Sequence, residues 1–389
     1  MFTRIALFFS LLFASMASAS MAQQDLSVSS RLTESLEDFQ RRYGFPGATA
    51  AVVSPDGRIT AAATGLADIE QGRVMTPDTP MLAASIGKSF VAATVLALEN
   101  EGHLSRKDRL SSYLGDRPWF GALPNAESIT IDQLLHHTAG LPDHVHLPDF
   151  QEAFAQFNSE ENELIPEQLV GYVAGLDPLF EAGTGWAYSD TGYVLLGLVI
   201  EETTGKPWQS SVYERFLSPL KLTGTKPSDG PNLPGLAVGY TYPENPLGLP
   251  ERTADADGRL LWNPAVEFAG GGFVSTSVDL ARWGHVLFNG DAMGFPYLDR
   301  LLDGVQVDQS SRGILYGAGI AIYPQTPRGP VWGHGGWIPG YVSSLRHYPE
   351  HGVTVAFQIN SDIGIVDDTS DLVTEIEAAL ADLAISLSR

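Results

Sequence analysis

Between residues 26 and 43 the stretch LSVSSRLTESLEDFQRRY carries leucines at helical spacing, and that spacing predicts a helix. Next, PGATAAVVSPDGRITAAATG is broken by the polar turn Ser54-Pro55-Asp56-Gly57, which predicts two strands joined as a hairpin. Apolar positions dominate residues 86 to 102, predicting a helix that ends at Gly102, and residues 130 to 225 mix helical patterns with Pro- and Gly-containing loops. Towards the far end GPVWGHGGW, GYVSSLRHYP and VTVAFQIN read as strands with a turn at Pro349 to Gly352, followed by a helix from about Asp368 to Leu387. Strands near both ends with helices between them predict one sheet completed by both termini and carrying a mostly helical insertion.

The opening MFTRIALFFSLLFASMASAS adds a compartment to this picture. Arg4, the apolar run Ile5 to Met16 and the small residues Ala17-Ser18-Ala19 have the layout of a cleavable export signal. Because the run is too short to span a bilayer and stay there, no membrane insertion is expected after cleavage. Residues 1–22 are therefore expected to be a signal peptide, and residues 23–389 one domain in the periplasm or the medium. There is no cysteine in the 389 residues, so neither a disulfide framework nor a lipid-anchoring thiol is available.

Charge narrows the partners. With 23 Lys and Arg against 46 Asp and Glu, the formal net charge is −23. Such a field repels phosphate backbones and anionic headgroups, so nucleic acid is excluded as a partner and a small molecule or peptide is left. Acidity also keeps an exported protein soluble, which accounts for most of it without a specific role.

Chemistry first shows in AASIGKSF, residues 83 to 90, where Ser85 precedes Lys88 by three positions at the predicted start of a helix. Residues three apart share a helix face, so the amine can reach the hydroxyl, and the unpaired N–H groups of a helix start favour a developing oxyanion. A lysine serves as a base only where burial or neighbouring charge lowers its pKa, and the surrounding AASIGKSFVAATVLAL is apolar. Taken alone the pair is a weak signal, since a solvated helical lysine is the usual explanation.

Two further stretches change its weight. GTGWAYSDTGYVLLG, residues 183 to 197, sets Tyr188 two residues before Asp190, and VWGHGGWIPGY, residues 331 to 341, sets His334-Gly335-Gly336 on an edge-like strand. In these residues the chain resembles the serine β-lactamase and penicillin-binding-protein superfamily, most closely its class C β-lactamase, D-Ala-D-Ala carboxypeptidase and family VIII carboxylesterase branch. That family carries Ser-x-x-Lys, Tyr-x-Asn and Lys/His-x-Gly in this order. ITIDQLLHHTAGLPDH, YSDTGYVLLGLVIEETTGKPW and AGGGFVSTSVDLARW also look like family segments, so the resemblance runs from about Leu36 onward.

The resemblance implies an α+β, β-lactamase/transpeptidase-like fold: an antiparallel sheet from both chain ends with flanking helices, about 26–85 and 270–389, and a mostly helical lobe, about 86–269. It also implies a hydrolase working through a Ser85 acyl-enzyme on a small ester, amide or peptide, without cofactor or metal. Lys88 and Tyr188 become the proton-handling pair, and the backbone N–H groups of Ser85 and Trp337 the oxyanion hole. Asp190, His334, Gly335 and Gly336 become substrate-binding residues. Which of Lys88 and Tyr188 is the base stays open. His334 in the place of lysine would offer a substrate carboxylate a weaker, pH-dependent charge.

One position departs from the pattern. Asp190 stands where the family has asparagine, and an ionised carboxylate accepts but cannot donate to a substrate carbonyl. That moves the expectation from β-lactams and N-acyl peptides towards carboxylesterase or D-aminopeptidase specificity. From another class, a non-catalytic penicillin-binding sensor or scaffold is the alternative, although a binding module needs no nucleophile with its base. Two rival chemistries fit less well. Ala83 to Gly87 is one residue from a G-x-S-x-G elbow but no strand-like run leads into it, and the loop HHTAGLPDHVHLPDF lacks the spacing of a metal-ligand run. Trp186 and Trp337, beside the motifs, are expected as pocket walls.

Overall fold

The computed structural model describes residues 28–154, 165–307, 313–363 and 372–387. The expected signal peptide, residues 1–22, lies outside them. Helix α1, residues 28–43, leads into β1 (Gly47–Val53), β2 (Ile59–Asp68) and β3 (Arg73–Val74). Helices α2 (Gly87–Asn100), α3 (Asp190–Thr204) and α4 (Ser277–Phe288) follow among shorter turns. The chain then adds β4 (Val305–Gln306), β5 (Leu315–Tyr316), β6 (Ala321–Tyr323), β7 (Val331–Ile338), β8 (Tyr341–Tyr348), β9 (Val353–Ile359) and helix α5 (Leu372–Leu387).

Nine strands form one antiparallel sheet in the order β3-β2-β1-β9-β8-β7-β6-β5-β4, so the first hairpin pairs with the last strand, Ala48 opposite Ile359. Both chain ends complete the sheet, as the pattern of strands predicts. The reason is visible in β1, GATAAVV, which is buried along its whole length. Ala48, Ala50 and Val52 face a core shared with α1 and α5, whereas Ala51 and Val53 face the core beneath the helices. Side chains alternate across a strand, so a sheet covered on both faces reads as a continuous apolar run.

Behind the inner face lie α2 and α3. Every residue of α2 from Gly87 to Leu98 is buried, and so is α3 from Thr191 to Ile200. Helices that are apolar all round belong in a core, and these two carry Lys88 and Asp190 into it. The helix expected to end at Gly102 stops at Asn100, and Gly102 turns the chain with φ 77°.

Two local features place the site. Ser85 sits in a 3-10 turn, Ala84–Ile86, just ahead of α2 instead of in the helix itself. That turn is pinned by the Ala83 amide donating to the Phe273 carbonyl at 2.9 Å and by the Ser343 hydroxyl donating to the Ala83 carbonyl at 2.8 Å. Ala84 takes φ 49°, a left-handed conformation that a non-glycine residue holds only where its surroundings fix it. The second feature is β7. It lies inside the sheet, yet β6 pairs only with Val331 to Gly333, so among the described residues His334 to Ile338 have no strand on their outer side. The edge-like character expected of His-Gly-Gly is thus local to half a strand.

Candidate active site

The turn, α3 and β7 meet at Ser85. Its Oγ receives a hydrogen bond from Lys88 Nζ at 3.1 Å and another from Tyr188 OH at 2.9 Å. Lys88 is fully buried, and its amine also donates to Asp190 Oδ1 and, at 2.5 Å, to the carbonyl of Gly270. An ammonium has three N–H donors, so Ser85, Asp190 and Gly270 satisfy all of them. Below the amine lie the rings of Tyr188 and Tyr193, 4.8 and 5.4 Å away, which favour the same charge. Asp190, first residue of α3, gains from the helix N-terminus as well as from the cation.

Tyr188 is held from behind. His137, at φ 57°, accepts the Ser189 amide on Nδ1 at 3.2 Å and the Ala187 amide on its carbonyl at 3.0 Å, and its ring packs 4.2 Å from that of Tyr188. Burial, then the charge of Asp190, keep the phenol of Tyr188 protonated far into the alkaline range. A resting tyrosinate is therefore not the base. Lys88 Nζ and Tyr188 OH both stand within hydrogen-bond reach of Ser85 Oγ, so the geometry places two proton-handling groups on one hydroxyl.

His334 corrects its expected role. Burial, with Lys88 adding to it, lowers its pKa to about 3, so at neutral pH it carries no charge for a carboxylate. Its Nδ1 faces the Gly335 carbonyl, which can only accept, so Nδ1 carries the proton and Nε2 takes the Tyr316 hydroxyl at 2.9 Å. Tyr316 gave no signal in the sequence because it lies on a short strand, β5, 18 residues away.

Glycines set the approach of β7. A Cβ on Gly336 would stand 2.4 Å from the Ala83 carbonyl oxygen, so only glycine lets the strand lie against the nucleophile turn. Ile338 opposite Tyr341 closes the two-residue turn Pro339-Gly340. Opposed residues of an antiparallel pair alternate between exchanging both ladder bonds and none, so Trp337 directs its N–H away from β8, on the open side of β7.

Ser85, Tyr188, Asp190, His334, Gly335, Gly336 and Trp337 all line one cleft of about 550 Å³. Phe150, Phe154, Leu247 and Val266 make an apolar wall. Trp186 does not line it; that ring packs behind His137 and Tyr316. Two further carboxyls face the cleft: Asp143, considered in the sequence only within the metal-ligand loop, and Glu267, which gave no signal there. Burial, then Asp190, raise Asp143 to about 7, and burial raises Glu267 to about 8 against the pull of Lys88. No lysine or arginine is found among the described residues lining the cleft. The loop histidines divide: His136 Nδ1 meets the Asp132 carbonyl, whereas His144, its Nδ1 on the Thr191 hydroxyl, and His146 stay beside Asp143 at the cleft.

The Beta-lactamase family model matches residues 32–380. Penicillin-binding protein 4* of Bacillus subtilis (strain 168) is 27% identical over 319 residues, covering 77% of this chain and 64% of the relative, so the chain spans under two thirds of that protein. Among solved structures, D-amino acid amidase from Ochrobactrum anthropi SV3, in complex with L-phenylalanine, superposes with TM-score 0.77 at 26% identity over 92% of this chain and 99% of its own. A D-stereospecific amidohydrolase from Streptomyces sp. gives TM-score 0.72 at 27% identity over 86% and 94%.

Proposed function

The chain belongs to the beta-lactamase family, and from that premise we propose that it is an exported serine hydrolase of small amides or esters of D-amino acids whose amino end is free. The observation that carries this reading is the Ser85 hydroxyl bonded by both Lys88 and Tyr188 at the floor of a cleft. Ser85 Oγ attacks the acyl carbon while its proton moves into the Lys88–Tyr188 pair. The N–H groups of Ser85 and Trp337 hold the tetrahedral oxyanion. Collapse returns the proton to the leaving amine or alcohol, and water, deprotonated by the same pair, then frees the acid from the acyl-enzyme. The signal-like segment 1–22 supports the periplasm or the medium as its compartment.

Cleft charge supports the substrate class. A penicillin or a peptide C-terminus brings a carboxylate, and here it would meet the Asp190 carboxylate, a neutral His334 and no lysine or arginine among the described lining residues, while burial keeps Glu267 protonated near neutral pH and Asp143 about half so. An ammonium fits that field, an apolar side chain fits the Phe150 and Phe154 wall, and the D configuration is suggested by the amidohydrolases to which the chain is similar. The test is labelling by a fluorophosphonate and a fluorescent penicillin side by side, with hydrolysis of D- and L-phenylalaninamide. Strong fluorophosphonate labelling and a D preference are expected; penicillin labelling without turnover of any amide or ester would establish the sensor reading instead.

Asp190 is the first residue to vary. Its side chain keeps 23% exposure while that of Lys88 has none, so it can meet substrate as well as the amine. Asp190→Asn restores a donor and removes a charge. The ratio of kcat/KM for N-acetylated over free-amine substrates should rise about tenfold or more, equivalent to at least about 1.4 kcal/mol of transition-state contact. An unchanged ratio means that Asp190 only holds Lys88.

The pH profile is the second check. Reaction requires the Lys88–Tyr188 pair with one proton fewer than the three-donor ammonium and the neutral phenol hold, so kcat/KM should climb from acid towards mildly alkaline pH. His334 is neutral above about 3 and contributes no limb near the usual histidine range. An optimum near pH 4 would point to a carboxylate base.

A further inference from the structure

We infer that Asp362 is a positioning residue for the oxyanion-binding strand, acting through Trp337; the inference rests on the acyl-transfer reading of Ser85. The need for such a residue follows from β7. From His334 to Ile338 the strand pairs, among the described residues, with β8 and no other strand, and Gly333, Gly335 and Gly336 make its backbone permissive. This is the segment whose Trp337 amide has to lie within hydrogen-bond reach of an oxygen above Ser85. A half-paired, glycine-rich strand does not fix an amide by itself.

Asp362 supplies the missing restraint. It follows β9, is 1% exposed, and accepts three hydrogen bonds on one oxygen, Oδ2. The donors are Trp337 Nε1 at 3.0 Å, the Gly340 amide at 3.1 Å and the Thr241 hydroxyl at 3.0 Å. Trp337 is gripped at its own side chain and the hairpin at its turn, two points that both follow the Trp337 amide closely along the chain. Two such points oppose both sliding of the strand and rotation about its axis, and rotation is what redirects the amide. Thr241 and the Asp362 amide, which donates to the Tyr240 carbonyl at 3.2 Å, anchor the carboxylate to a separate segment. The other oxygen, Oδ1, is buried without a hydrogen-bond partner among the described residues. All of the holding is thus done by one acceptor, and an asparagine can present the same acceptor with its amide oxygen.

The experiment compares full-length Asp362→Ala, Asp362→Asn and Trp337→Phe with the parent. It reads kcat and KM for a p-nitrophenyl ester, affinity for a small boronic acid, and Tm. A boronic acid bonds to Ser85 Oγ as a tetrahedral boronate anion and places one of its hydroxyl oxygens in the hole, so its affinity reports the oxyanion site without turnover. Asp362→Ala should lower kcat about 10- to 100-fold, with KM within about threefold, because misplacing one preorganised donor costs that order of rate. Boronate affinity should fall by a matching factor. Asp362→Asn should stay within a few-fold of the parent, and Trp337→Phe, which removes the indole N–H with part of the ring but keeps an aromatic side chain, should fall between. A folded Asp362→Ala with parental kcat and boronate affinity overturns the inference, as does a loss of Tm alone. Should Asp362→Ala fail to fold, Trp337→Phe decides, parental values in both assays being the overturning result. A parent that turns over no ester refutes the acyl-hydrolase reading while the boronate series still judges Asp362, and a parent that binds no boronate refutes both.

Discussion

Ser85→Ala should yield a folded protein whose turnover of every amide and ester substrate is lowered by at least about 10³-fold, with fluorophosphonate labelling abolished. The expected size follows from what remains. Lys88 keeps two of its three acceptors, Asp190 and the Gly270 carbonyl, and Tyr188 keeps its packing on His137, so the pair stays in place with nothing to activate. Ser85 itself is half-buried, and α2 is anchored by the burial of Gly87 to Leu98, which the substitution does not touch. The cost to stability is confined to the lost hydrogen bonds, about 1 to 3 kcal/mol for buried donors left without a partner. Circular dichroism and Tm establish the fold, and kcat/KM on an activated ester and on an amino acid amide reads the chemistry. Turnover near the parental rate in folded Ser85→Ala would end the acyl-enzyme proposal and turn attention to Asp190 and His334.

Most of this arrangement could be read before any coordinates, because its parts depend on local spacing. Ser85 and Lys88 are three apart at a turn into a helix, Tyr188 and Asp190 straddle the start of another, and the glycines after His334 mark a close approach of backbone. What escaped depends on convergence over distance. Gly270, the third acceptor of Lys88, lies 182 residues from it, and Tyr316 reaches His334, and Glu267 the cleft, from segments with no pattern of their own. Asp143 sat in a stretch weighed only for metal ligands, whereas the fold turns it into the cap of a 3-10 turn beside the cleft. His334 shows the limit most clearly. Residue type assigns a histidine a charge near neutrality, but burial beside Lys88 removes it, and burial is a property of the fold. Trp186 fails for a related reason: proximity in sequence to Tyr188 does not say which way the loop turns, and His137 turns that ring away from the cleft.

Tyr188→Phe and Lys88→Ala should each lower turnover by about 10² or more, yet differ in stability and in how that stability varies with pH. Phenylalanine keeps the ring against His137 and leaves Lys88 with all three acceptors, so Tyr188→Phe should melt close to the parent at every pH. Lys88→Ala removes the cation on which Asp190 relies and which also draws down the pKa values of Asp143 and Glu267. Breaking a buried ion pair from one side costs about 3 to 5 kcal/mol, because the partner is left charged in a poor solvent. The sign with pH follows from the carboxyls. Their folded pKa values, about 7 for Asp143 and about 8 for Glu267, already exceed the ordinary carboxylate range, and losing Lys88 moves them higher. A carboxyl whose folded pKa is raised binds its proton more tightly when folded, so its contribution to stability is present at low pH and lost as pH climbs through the folded value. The Tm deficit of Lys88→Ala should therefore be smallest near pH 5 and grow towards pH 8 and 9. A deficit independent of pH would mean that Lys88 does not neutralise this cluster, and full turnover in Tyr188→Phe would remove the phenol from the proton path and leave the amine to act alone.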